Sequence, residues 1–230
     1  MKSLILILLA SAVLFWLNGR CREANRTDWG RSWLNSLDGL IRLFCRYYHR
    51  LPPVELPIPE HGGAIVVSNH TSGLDPLLMV ASSHRPLRFL IAREQYQRFG
   101  VQWLFRAAGC IPVDRQKSPE KAMRQAFKAL RQGEVVALFP HGKIHLDSDP
   151  PRKIKAGASR LASITGAPLI PMRISGVRGE GVVMRAVFLR SKAKIQLLPV
   201  MEVADHTSGE LNDSLQQTLD GLSGNANGDG

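Results

Sequence analysis

Ala64-Ile65-Val66-Val67-Ser68-Asn69-His70-Thr71-Ser72-Gly73-Leu74-Asp75-Pro76 is the stretch on which the fold turns. Residues 64–68 form a short apolar run with the composition of a buried strand. Asp75-Pro76 reads as the N-cap and first position of a helix, and Gly73 lies in the turn between. A strand feeding directly into a helix is the repeating unit of an α/β sheet. Outward from it the same alternation continues. Short apolar runs at 88–92, 110–113, 135–139, 169–174, 185–189 and 194–200 read as strands, and 74–81, 95–107, 119–131, 154–165 and 209–222 read as helices. The expected fold class is α/β, a mixed sheet flanked by helices, over residues 61–222. The tail 223–230, rich in Gly and Asn, has nothing to bury and is expected to be disordered.

Upstream of the domain the sequence changes character. Ser3 to Gly19 carries no charge, and its seventeen residues reach about 25 Å as a helix, just short of a hydrocarbon core of roughly 30 Å. Residues 1–19 are therefore expected to anchor the chain in a membrane, by spanning or by partial insertion. Ala10-Ser11-Ala12 admits a signal-peptide reading, but Val13 to Leu17 continues the apolar run where a cleavage region turns polar. A buried helix of a soluble protein is the third reading. Arg20, Arg22, Arg26 and Arg31 follow the segment while Lys2 precedes it, which places the rest of the chain on the cytoplasmic face, the inner membrane if the source is bacterial. Cys21, Cys45 and Cys110 fit that side, having no spacing of a disulfide framework or zinc site.

Residues 20–60 read as an amphipathic helix between Thr27 and Arg50 followed by a proline-rich linker. Trp29, Trp33, Leu37, Leu40, Ile41, Phe44 and Tyr48 recur at helical spacing. Such a helix either packs on its own core or lies in the lipid interface, where Trp and Arg are favoured.

Of the 230 residues, 44% are apolar and 21% charged, which excludes a disordered or collagen-like chain. The formal charge is +11, and it is uneven: from Glu202 onward there are acids but no Lys or Arg. A field of that sign favours a polyanion, nucleic acid or an anionic membrane surface. The apolar N-terminus supplies a membrane reason for the charge, and no RNA- or DNA-binding motif appears.

The chemistry-bearing residues sit at strand ends. His70 with a carboxylate five residues on can fold back across the Gly73 turn, so that Asp75 holds one imidazole nitrogen protonated and leaves the other as a base. The same spacing fits a capped turn, and the two readings coexist because a carboxylate has two oxygens. No Gly-x-Ser-x-Gly elbow surrounds Ser68, Thr71 or Ser72, so a serine nucleophile is not the expected chemistry.

A series of blocks in a fixed order carries a resemblance. Asn69-His70-x4-Asp75 is similar to the signature of the glycerolipid and lysophospholipid acyltransferases, typified by 1-acyl-glycerol-3-phosphate acyltransferase. Gly109-Cys110-Ile111-Pro112-Val113-Asp114-Arg115 resembles the family's second block. Phe139-Pro140-His141-Gly142 stands where the family usually has Phe-Pro-Glu-Gly-Thr-Arg. Lys155-Ala156-Gly157-Ala158 and Pro168-Leu169-Ile170-Pro171-Met172 resemble the blocks that follow. The resemblance implies a membrane-associated O-acyltransferase in which His70 takes the proton from an acceptor hydroxyl and Asp75 orients the ring. The acceptor is a lysophospholipid, and the acyl thioester of coenzyme A or of acyl carrier protein is the co-substrate. No further cofactor, no metal and no nucleic-acid partner is implied. Arg115 is the candidate phosphate ligand, although it also reads as a surface charge after a strand. Asn69, His141, Gly142, Lys143 and Lys155 complete the candidate substrate-binding set.

The third block departs from the family. His141 stands for glutamate, Lys143 for threonine and Ile144 for arginine, which puts the usual glycerol-phosphate acceptor in doubt more than acyl transfer itself. An acceptor without that head group, such as a lyso-amino-acid lipid, is the alternative, and a non-catalytic lipid-binding relative is the rival class. His141, His145, Asp147 and Asp149 also form a cluster that admits a metal reading, with no standard zinc spacing.

Overall fold

The computed structural model describes residues 2–115, 117–150, 152–203 and 207–220. The tail 223–230 lies outside them. The described strands are β1 (Ala64–Ser68), β2 (Leu87–Ala92), β3 (Ile111–Val113), β4 (Val135–Leu138), β5 (Leu169–Ser175) and β6 (Lys194–Leu197). They form one sheet in the order β3-β2-β4-β1-β5-β6. All neighbours are parallel except β5 and β6. The expected mixed sheet is what forms. β1, at the centre, is buried along its whole length, as a continuous apolar run should be when helices cover both faces.

Those helices divide by face. α2 (Ser32–Leu43) and α3 (Asp75–Ala81), with Ala186 of α8 (Val183–Phe188), close the core over Ala64, Val66 and Ala137. α6 (Pro119–Arg131), α7 (Gly157–Thr165) and α9 (Ser208–Asp220) close a second core over Ile65, Val67, Val136 and Leu138. The alternation of side chains along each strand makes this division. β1 thus sends its chain to one face through α3, and its neighbour β4 sends its chain to the other through α7. The carboxyl ends of β1 and β4 flank a switch point, where open α/β sheets place their ligands.

α1 (Lys2–Ala24) is longer than the anchor read from sequence. Its 23 residues reach about 34 Å. The helix is long and apolar enough to cross a membrane, with mean hydropathy 1.9 over its best window, and every residue from Leu4 to Leu17 is exposed. Its C-terminal end rests on α2 so closely that a Cβ on Gly39 would lie 1.7 Å from the Cys21 carbonyl oxygen.

Several elements differ from the sequence reading. The helix expected from Thr27 begins at Ser32, because the Asp28 side chain accepts from the Gly30 amide and Gly30 has φ +71°. α2 then passes into a π-helical turn at Phe44–Tyr48. The proline-rich stretch is a packed strap and not a free linker: Leu51, Leu56 and Ile58 are buried, and Arg85 bonds the Pro59 and Gly62 carbonyls. The helix expected at 95–107 is two short ones, α4 (Arg93–Tyr96) and α5 (Gln102–Ala107), separated by a turn at Gly100 with φ +85°. The strand expected at 185–189 is helical instead, as α8. The apolar run Ala186-Val187-Phe188-Leu189 reads as strand, but α8 buries only Ala186 and is held by Tyr48 Oη donating to the Phe188 carbonyl at 2.6 Å.

Candidate active site

The β1–α3 loop brings His70 and Asp75 together. The imidazole Nδ1 lies 2.9 Å from Asp75 Oδ2, with Asp75 fully buried and His70 partly exposed. The same Oδ2 accepts the backbone N–H of Thr71 at 2.7 Å and of Ser72 at 2.8 Å. Oδ1 accepts Ser72 Oγ at 2.8 Å and Thr71 Oγ1 at 3.4 Å. With Nδ1 donating to this carboxylate, Nε2 carries the ring's lone pair. Asp75 is the first residue of α3 and makes no side-chain cap to it. Its oxygens serve the preceding loop, which corrects the capping reading. Ser68 Oγ donates to Asn69 Oδ1, so the loop's hydroxyls all have acceptors on Asn69 or Asp75.

Two further features fix the imidazole. Phe139, at the end of β4, stacks on the ring with centroids 4.0 Å apart and planes 14° from parallel. The His145 N–H donates to the His70 carbonyl at 2.8 Å, so the loop after β4 is tied to the base's own backbone. On the other side Gly181 N–H donates to the Thr71 carbonyl, and a Cβ on Gly73 would meet the Val183 carbonyl oxygen at 2.2 Å. Gly73 is thus demanded by the approach of α8. Glu180 comes to this rim with Gly181. Burial, then the charges of Asp147 and Asp75, hold its carboxyl above the usual range. Sequence reasoning missed Glu180, since its only local signal is the glycine pair at 179 and 181.

The third-block loop gathers His141, Gly142 and Lys155. Gly142 has φ +74°, and a Cβ there would meet Lys155 Nζ at 3.0 Å, so the ammonium lies across the glycine. Lys155 N–H donates to the Pro140 carbonyl. His141 is 5% exposed, stacks on His145 with centroids 4.6 Å apart and lies against the Arg152 carbonyl, while neither ring nitrogen makes a hydrogen bond of good geometry among the described residues. Burial first, and then the neighbouring His145, push its pKa below the ordinary histidine value. Lys143 points to solvent. Of the rest of the His/Asp cluster, Asp147 pairs with Arg173, and Asp149 lies 3.6 Å from His145. No three such groups converge as metal ligands among the described residues.

Asn69 and Arg115 stand apart from the cleft. Asn69 is buried and its amide pairs with β5: Nδ2 donates to the Ile174 carbonyl at 2.9 Å and Oδ1 accepts the Ile174 N–H at 2.7 Å. That pairing fastens the loop to the neighbouring strand and occupies the oxygen and one of the two N–H donors of the amide. Arg115 follows the edge strand β3, three strand spacings or about 14 Å from β1. Its guanidinium lies 3.8 Å from Glu94. Cys45 and Cys110 are no nucleophiles, since burial pushes their thiols up to about 12 and about 11.

The family model described as Acyltransferase matches residues 54–175, which include both loops. The chain is 24% identical to 1-acyl-sn-glycerol-3-phosphate acyltransferase of Bacillus subtilis over 149 residues, 64% of this chain and 71% of that protein. It is 30% identical over 123 residues to the probable 1-acyl-sn-glycerol-3-phosphate acyltransferase of Mycoplasma pneumoniae, 50% of this chain and 46% of that one, about half its length. The crystal structure of the 1-acyl-sn-glycerophosphate (LPA) acyltransferase, PlsC, from Thermotoga maritima superposes with a TM-score of 0.67 at 18% identity, covering 88% of this chain and 84% of that one. The two share a fold.

Proposed function

Because the chain belongs to the acyltransferase family, we propose that it transfers a fatty acyl chain from an acyl thioester to the hydroxyl of a lysophospholipid such as 1-acyl-glycerol-3-phosphate, working at a membrane. The observation that carries this reading is the His70–Asp75 pair at the switch point of the sheet. His70 Nε2 takes the hydroxyl proton as the acceptor oxygen attacks the thioester carbonyl. The tetrahedral intermediate collapses with loss of the thiolate, which takes the proton back from the imidazolium. One C–S bond breaks and one C–O bond forms, with no acyl-enzyme. Asp75 stabilises the imidazolium, and its four further donors hold its oxygens in place.

The loop after β4 receives the acceptor, with Lys155 beside Gly142 as the nearest cation. Arg115 serves a phosphate by leaving Glu94 and reaching across β2. α1 supplies the attachment to the bilayer, with the catalytic domain on its cytoplasmic face. The relatives' names support a 1-acyl-glycerol-3-phosphate acceptor. His141 favours a second reading: a buried imidazole where the family has a carboxylate suits an acceptor with a different head group, such as a lyso-amino-acid lipid.

The test offers the purified protein, in detergent, a panel of lyso-lipids with acyl-CoA and with acyl carrier protein, and identifies products by mass spectrometry. Acylated product from a phosphate-bearing lyso-lipid supports the first reading. Product only from phosphate-free acceptors replaces it with the second. Absence of any product from the panel, with the fold intact, overturns both.

A further inference from the structure

Outside the catalytic cleft the most regular feature of the surface is α6. Its buried face is Ala122, Ala126, Ala129 and Leu130. The exposed side carries Lys121, Arg124, Lys128 and Arg131, spaced 3, 4 and 3 residues apart, and Lys117 extends the row one step before the helix. At 100° per residue the four helical cations fall within about 80° of arc, opposite the buried alanines. Glu120 is the helix's one acid. None of these five cations has an ion-pair partner among the described residues. From Lys117 to Arg131 the row is about 20 Å long.

We infer that this row is the docking surface for an acidic carrier protein that delivers the acyl chain, a refinement that rests on the acyl-transfer reading above. Three observations select that occupant. First, the row lies on the sheet face away from α1: α1 rests on α2, which packs with α3 over one core, and α6 covers the other. The sheet and its helical layers therefore separate the row from the membrane helix. Trp16 and Trp33 are exposed on the α1–α2 side, and Phe127 is the exposed aromatic of α6. Second, the row is too long for the compact phosphates of a soluble nucleotide thioester, but it matches carboxylates along a helix at the same i, i+3, i+4 spacing. Third, α6 follows β3, so its first turn stands at the carboxyl end of the parallel strands, the same end at which the loops after β1 and β4 lie. A carrier seated on α6 has the distance from β3 to β1, about 14 Å, to cross with its thioester arm.

Rim charges of this kind govern encounter and are sensitive to salt. The test measures steady-state kinetics with hexadecanoyl-acyl carrier protein and with hexadecanoyl-CoA for the whole chain and for the triple variant Arg124→Glu, Lys128→Glu, Arg131→Glu. The expected result is a rise of about tenfold or more in KM for the carrier-bound donor, with kcat unchanged and the CoA-bound donor within about twofold. The CoA arm also reports whether the variant folds. Equal changes with both donors, or none with the carrier, overturn the docking surface. A wild-type protein that accepts only the CoA thioester also overturns it while acyl transfer stands. If neither thioester reacts, the acyl-transfer reading fails, and anisotropy of fluorescently labelled acyl carrier protein titrated with both forms decides docking alone: tighter binding to wild type upholds it, and equal binding overturns it. Loss of binding to vesicles containing anionic phosphatidylglycerol, with carrier KM unchanged, assigns the row to lipid and overturns the proposal.

Discussion

The loops that follow β1 and β4 lie side by side over one crevice, and they treat their polar atoms in opposite ways. In the first, Asp75 is fully buried and accepts hydrogen bonds from an imidazole, two amides and two hydroxyls, while Asn69 is paired twice with β5. In the second, His141 is also buried, but among the described residues its ring makes no hydrogen bond of good geometry and has the Arg152 carbonyl beside it. Leaving a buried polar group unpaired costs roughly 1–3 kcal/mol, comparable with the worth of a good hydrogen bond to a charge. The first loop is complete before substrate arrives and positions a base. The second keeps hydrogen-bonding capacity in reserve. On the proposed reading chemistry resides in one and recognition in the other, and each substitution below either breaks that division or sharpens it.

The largest effect is expected at His70. His70→Ala removes the base that Asp75 orients, so turnover should fall by about 10²–10⁴-fold. Its side chain bonds only Asp75, so circular dichroism should be unchanged. Retention of more than about a tenth of the wild-type rate refutes the base assignment. Next comes Asp75→Asn, which replaces one accepting oxygen by a donor in a pocket where every neighbour donates. Both stability and rate should suffer, with about 1–3 kcal/mol lost from unfolding in urea. A variant that slows turnover with no change in the denaturation midpoint separates the orienting role from the structural one and shows that the loop adapts.

The first loop was legible in the sequence because most of its information is local. A buried apolar run and a glycine specify the strand and the turn, while the histidine and the aspartate five residues on also fit a capped turn and are read as a pair with the help of the blocks that follow. α6 was equally plain, with its alanine face and bounding Pro119. What stayed hidden is what distant chain decides. The 185–189 run carries strand propensity but is made helical by Tyr48 and the core around Ala186. Asn69 looked like a binding residue because it adjoins His70, whereas its role depends on a partner 105 residues away. The stacking of Phe139 on His70 and the rim position of Glu180 likewise join segments that no spacing connects. Asp28 and Gly30 postponed the second helix through side-chain geometry that a periodicity count passes over.

In the second loop the effect expected is on choice rather than rate. His141→Glu restores the carboxylate usual in the family beside Lys155. The ratio of kcat/KM between a phosphate-bearing and a phosphate-free lyso-lipid should change by about tenfold, equivalent to about 1.4 kcal/mol. The rate on the better acceptor should be retained. An unchanged acceptor profile, with turnover intact, removes recognition from this loop and makes its sequence departure neutral.

The smallest effect is the pH response of His141, and its sign follows from burial. Burial first, then the charges of His145 and Arg152, lower its pKa below the ordinary 6.5, and Asp220 opposes them. The folded protein therefore keeps this ring neutral at pH values where the unfolded chain has begun to take up a proton. Its contribution is flat above about pH 6.5 and becomes destabilising as pH falls from there toward the folded value. An anionic acceptor acts in the opposite direction, since it favours the imidazolium. Such an acceptor should therefore tighten as pH falls through the pKa of the bound complex and level off below the lowered value of the free protein, and a phosphate-free acceptor should show no such tightening. His49, also lowered chiefly by burial, adds an acid slope of the same sign. Urea midpoints at pH 5.5 and 7.5 for wild type and His141→Gln separate the two. The variant should lose part of the slope and all of the acceptor's acid-side tightening. If the full slope survives the substitution, His49 carries it, and the unpaired imidazole of the second loop is no more responsive to protons than a solvated turn.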